Sequence, residues 1–155
     1  MFGALQVIRR LAPVLAVPAL CLAGPPQTQH NHIRYYIQLV RATDSSQPPQ
    51  SGSRPVGAKL ATTLHGPLRW KHYWEICRRE ADVPFGGTAT LRLPNQRAVE
   101  IDLTRPGRRS ATAFQHGKPV DRTVVPIGEA FTLIGGDRDD STAWFIVVRR
   151  DKPGA

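Results

Sequence analysis

Cysteine is almost absent: Cys21 and Cys77 are the only two in 155 residues. A disulfide framework and the Cys-x-x-Cys pattern of redox and zinc modules are therefore excluded. The chain also lacks a Gly-x-Ser-x-Gly elbow, a Walker loop, a Gly-x-Gly-x-x-Gly turn and a His-Glu-x-x-His helix. Those absences remove the motif-bearing hydrolases, nucleotide binders and zinc peptidases. Negative charge is scarce, with 12 acidic against 21 basic residues and a formal net charge of +9. Such a surplus bears on solubility and on attraction to polyanions, and says nothing of the fold. Helical periodicity is scarce too, and long apolar runs are few.

The longest apolar run stands at the N-terminus. Arg9-Arg10 precede an apolar stretch over residues 11–23, which is interrupted by Pro13 and Pro18. It is too short to span a bilayer, and its flanks suit a secretory signal. Cys21 and Ala23 satisfy a small-x-small cleavage rule, so residues 1–23 are expected to be a signal peptide. Leu20 stands where a lipobox needs a small residue, which favours ordinary cleavage over lipidation of Cys21. The mature chain would then hold one cysteine, Cys77, read as a small buried hydrophobe within a strand. Residues 24–32 read as a flexible leader, 33–150 as a single β-rich domain and 151–155 as a tail.

Apolar alternation carries most of the rest. Ile33, Tyr35, Ile37 and Leu39 share one face of a first strand. A Pro- and Ser-rich loop follows over residues 47–54. Val56, Leu60 and Leu64 then fall at four-residue spacing between Pro55 and Gly66-Pro67, which predicts one short helix near 57–65. Further strands are expected at 72–81, with Trp74 and Ile76 opposed to Tyr73, Glu75 and Cys77, and at 88–93, 99–103, 111–115 and 119–125. Pro94-Asn95-Gln96 and His116-Gly117 read as hairpin turns. The closing hairpin runs over residues 129–150, with Gly135-Gly136 and an acidic loop between its arms. Its arms alternate little, as strands buried on both faces do. The fold class expected is mainly β: a single antiparallel β-sandwich or partly open barrel of about seven to eight strands, with one short helix after the first strand.

Four groups of residues invite a chemical reading. Arg69, Trp70, Lys71 and Trp74, continued by Arg78 and Arg79, interleave cations with aromatics as a binder of anionic glycans would. A solvated strand face over a buried indole pair is the competing reading, and nucleic acid is not expected as a partner. His30 and His32, spaced i and i+2, could share a metal, but two ligands do not complete a site. Asp137, Asp139 and Asp140 resemble part of a calcium loop without its glycine or distal glutamate. Glu100 and Asp102 share the wet face of one strand, as paired carboxylates of a glycosidase would. No cofactor is expected.

The layout also carries a resemblance. Ile37-Gln38-Leu39-Val40-Arg41, the long loop, the Leu-rich helix, Lys71-His72-Tyr73-Trp74 and the closing Ile134-Gly135-Gly136 hairpin resemble small exported bacterial β-domain proteins. The Gly-Gly strand is distantly similar to segments of outer-membrane secretins and transfers no site. The resemblance implies export and a β fold, and it brings no activity. Together these readings lead to an exported, non-enzymatic β domain acting as a binding or envelope-assembly module. A polyanion- or glycan-binding domain is the alternative, and a hydrolase stands third.

Overall fold

The structure, a computed structural model, describes residues 31–138 and 141–154. The expected signal peptide, His30, Asp139 and Asp140 lie outside them. Among the described residues eight long strands form, with a short additional one and a single helix: β1 (His32–Thr43), β2 (Arg54–Pro55), α1 (Ala58–His65), β3 (His72–Pro84), β4 (Thr88–Leu93), β5 (Arg97–Asp102), β6 (Arg108–Gln115), β7 (Lys118–Pro126), β8 (Phe131–Arg138) and β9 (Thr142–Arg149). They make two antiparallel sheets, ordered β2-β3-β1-β9-β8 and β4-β5-β6-β7. The architecture is a β-sandwich and not a closed barrel.

β1 is the central strand of the five-stranded sheet and is buried on both sides. Tyr35, Ile37 and Leu39 point into the inter-sheet core, where they meet Val83 of β3, Val99 and Ile101 of β5, Ala111 and Ala113 of β6, and Ile146 and Val148 of β9. Its alternate residues Val40 and Ala42 form a second cluster with Leu60 and Leu64 of α1, Trp70, Tyr73 and Val147. The helix therefore lies over the outer face of this sheet, and its four-residue apolar spacing is the row that makes the contact. β9 is equally two-sided, as the weak alternation of the closing hairpin predicts. It runs between β1 and β8, so its own sheet covers both of its edges.

Three local features set the register. Leu39 pairs with Cys77 but Val40 pairs with Glu75, leaving Ile76 as an extra residue in β3. This bulge overturns the strict alternation expected for 72–81, because Cys77 joins Trp74 on the inner side while Glu75 faces outward. Both expected hairpin turns form with paired positive φ, 59° and 57° at Asn95 and Gln96 and 51° and 76° at His116 and Gly117. Such geometry matches the right-handed strand twist. At the corner between the sheets, a Cβ on Gly87 would lie 2.7 Å from Pro84 Cγ, so only glycine fits there.

Candidate functional site

The most concentrated polar chemistry lies on the outer face of the five-stranded sheet, beside α1. Glu75 is 2 % exposed, and the bulge turns it and Arg78 to the same side. Its Oε1 accepts from Arg54 Nη2 at 2.7 Å and its Oε2 from Arg78 Nη2 at 2.9 Å. Gln38 Nε2 of β1 donates to Oε2 as well. Burial pushes the Glu75 carboxyl up, yet hydrogen bonds from Arg78, Gln38 and Arg54 outweigh it and hold the group below the usual glutamate value. A carboxylate so engaged is an anchor and has no free lone pair positioned for proton abstraction.

Arg78 extends this network to residues after β9. It donates to the carbonyl of Pro153 at 3.2 Å and to that of Gly154 at 3.3 Å. Arg149 pairs with Asp151, which also lies 3.7 Å from Lys59 Nζ at the start of α1. Between this segment, the first residues of α1 and Gln38 is a cavity of about 280 Å³. No side chain caps the helix where it enters that cavity, and its first turn contains no acidic residue.

The six basic and aromatic residues singled out in the sequence are distributed over several environments. Arg69 stacks on Trp70 with its guanidinium carbon 4.5 Å from the ring centroid, while Trp70 itself packs in the α1 cluster. Lys71 is exposed, and its backbone N–H donates to Asp44 at 3.2 Å. Trp74 is 8 % exposed and lies across from Arg41 on the inner side of the sheet. Arg78 belongs to the Glu75 network, and the exposed Arg79 donates to the Arg78 carbonyl. Lys71 and Trp74 do line a common cavity of about 230 Å³ with His65, His72 and Ser46.

Other candidate residues stand apart. His32 is exposed at the start of β1, and Asp137 falls in the backbone of β8. Among the described residues, no three His, Cys, Asp or Glu side chains come together as metal ligands. Glu100 and Asp102 do share the outer face of the four-stranded sheet. Glu100 accepts from Thr90 at 3.4 Å and Asp102 from the Thr104 amide at 2.8 Å. Cys77 is a free thiol that burial pushes up in pKa. No described helix is long and apolar enough to cross a membrane.

Two arginines escaped the sequence reading. Arg109 is fully buried, with its guanidinium 5.0 Å from the Tyr35 ring. It donates to the Glu129 carbonyl at 3.0 Å and to the Thr132 hydroxyl. In the sequence it closes the Arg105-Pro-Gly-Arg-Arg109 run, whose composition marks a turn. Arg41 lies between Trp74 and Trp144 in one cross-strand row, 5.3 Å from the Trp144 centroid. Only the pairing of three distant strands creates that row. Compared with protein-family models, curated proteins and solved structures, the chain matches none.

Proposed function

We propose that the chain is an exported, non-enzymatic β-sandwich module that binds a protein partner in the cell envelope. One observation carries this reading: the two sheets are covered unequally. α1 lies over the outer face of the five-stranded sheet, whereas β7, at the edge of the four-stranded sheet, leaves Val120 at its bulge and Val124 on its outer face 48 % and 43 % exposed. These valines flank Arg122, whose Nε is held by Ser110 at 2.8 Å. Exposed apolar side chains along a polar edge strand are the composition of a modest protein contact. Export is supported by the tripartite pattern over residues 1–23.

The test is crosslinking and pull-down from envelope fractions with the full chain and with Val120→Lys/Val124→Glu. The expected outcome is a partner captured by the unaltered chain and lost with the variant, together with a mature N-terminus at Gly24 by mass spectrometry. An intact Met1, or capture unchanged by the double substitution, overturns the reading. A second reading, an anionic glycan bound through Lys71, is favoured by the Lys71–His72 cavity, whose lining contains no carboxylate. Its affinity should fall steeply with added salt.

A further inference from the structure

Among the described residues the two sheets end in β2 and β8 and in β4 and β7, and all of these edges but one are defended against a further strand. β2 has two residues, one of them Pro55. Where β2 leaves it, β3 carries the bulge at Ile76 and the charged run Arg78-Arg79-Glu80. β8 breaks register between Gly135 and Arg138. β7 contains Pro119 and a register shift, and its Asp121 carboxylate accepts from the Gly135 amide of β8 at 2.8 Å. Prolines, bulges and charges of this kind keep sheet edges from pairing with other chains. β4 has neither proline nor bulge, and its six residues keep unbroken register with β5.

The Leu103 amide donates to the Gly87 carbonyl at 2.9 Å, which sets the phase of the ladder. Ala89, Leu91 and Leu93 therefore turn their backbone N–H and C=O groups to β5, while Thr88, Thr90 and Arg92 turn theirs to the free edge. Ala89 and Leu91 are only partly buried against the core. On the outer face, Asp102 and Glu100 of β5 stand behind Thr88 and Thr90, whereas Ala98 stands behind Arg92. The edge is thus acidic at one end and basic at the other, and an antiparallel copy of itself complements that pattern.

We propose that β4 pairs antiparallel with β4 of a second copy, about a two-fold axis at Thr90, joining the two four-stranded sheets into one. Thr90 then meets Thr90, and each Arg92 meets Thr88 of the other copy, so three reciprocal pairs make about six backbone hydrogen bonds. Each Arg92 extends over Thr88 toward Asp102, whose strand lies about 10 Å away. The two arginines stay about 13 Å apart along the strands, beyond the screening length at physiological salt. On the inner face Leu91 meets Ala89. A register centred on Arg92 would oppose the like charges. An unrelated extended segment would need a basic residue of its own opposite Thr88, whereas the second copy supplies one by symmetry. So short an interface makes a dimer that dissociates on dilution. β4 and β7 are opposite ends of one sheet, so failure of the envelope-partner reading leaves this dimer standing.

Sedimentation velocity of the full chain from about 1 µM to about 1 mM should show a monomer–dimer equilibrium. Amide exchange at the dimer end of that range should slow at Thr88, Thr90 and Arg92 by at least about tenfold. Thr90→Pro deletes only an outward N–H, so it should keep the native circular dichroism and stay monomeric. Arg92→Glu and Asp102→Arg should each weaken association about tenfold or more, and an equimolar mixture of the two variants should recover it, because each opposed row then holds one charge of each sign. A monomer at every concentration, which would leave the edge to a strand of another protein, overturns the proposal. So does a dimer that survives Thr90→Pro, or a mixture no more associated than its components. Should Thr90→Pro lose the native dichroism, the mixture decides.

Discussion

Glu75 shows how one buried carboxylate can organise a surface. Three side chains from β1, β2 and β3 donate to it, and Arg78 links it to residues 153 and 154. Removing the charge leaves two guanidiniums without their counterion, so Glu75→Gln should cost about 2 kcal/mol at neutral pH, with part of the loss recovered by solvation of the exposed Arg54. The pH dependence follows from the depressed folded-state pKa. The contribution is complete above the ordinary glutamate value of 4.5 and disappears as the pH falls through the lower folded value. Urea melts of the native chain should therefore lose stability on acidification below that value, and Glu75→Gln should show a shallower acid limb. Arg109 meets burial in a different way: its guanidinium donates to a carbonyl and a hydroxyl and lies by a ring. Thr132→Val keeps the shape and deletes the acceptor, and should destabilise by about 2 kcal/mol in the same melts.

At the scale of elements, the strands were legible because a half-buried strand writes its period into its sequence. β4 and β5 alternate cleanly, and their pairing of Ala89 with Ile101 and Leu91 with Val99 follows from that pattern. α1 was legible from Val56, Leu60 and Leu64 between proline and glycine punctuation. What could not be read was any feature created by pairing across the chain. The bulge at Ile76 reverses the side on which Cys77 lies, and it depends on how β3 meets β1. The Glu75 network needs β2, a strand of two residues inside a loop-like composition. The sequence grouping from Arg69 to Arg79 treated neighbours in the chain as neighbours in space, whereas burial of Trp70 and the bulge divide them among different environments. One turn also yields a prediction. Gln96 holds φ at 57°, a conformation costing a non-glycine residue about 1 kcal/mol. Gln96→Gly creates the favoured Asn-Gly turn and should raise stability by about 0.5–1 kcal/mol, read as a higher denaturant midpoint with an unchanged slope.

The whole molecule is tied together by its longest connections. β1 pairs with β3 on one side and with β9 on the other, so that Tyr36 meets Arg149 across most of the described chain. The five-stranded sheet cannot form until its last long strand is present, and the four-stranded sheet buries Val99, Ile101, Ala111 and Ala113 against that same sheet. Among the described residues, neither sheet has an apolar core of its own beyond this shared layer and the cluster under α1. Unfolding should therefore be a single transition, and the distribution of tryptophan makes this testable. Trp74 and Trp144 lie in the five-stranded sheet and Trp70 in the α1 cluster beside it, so indole fluorescence reports on that layer, whereas far-ultraviolet circular dichroism reports on both. The two probes should give coincident urea midpoints. Refolding should take milliseconds to seconds, as non-local β pairing requires. A dichroism change that survives past the fluorescence midpoint would mean that β4 to β7 hold together alone, and the shared core would then not be what joins the two sheets.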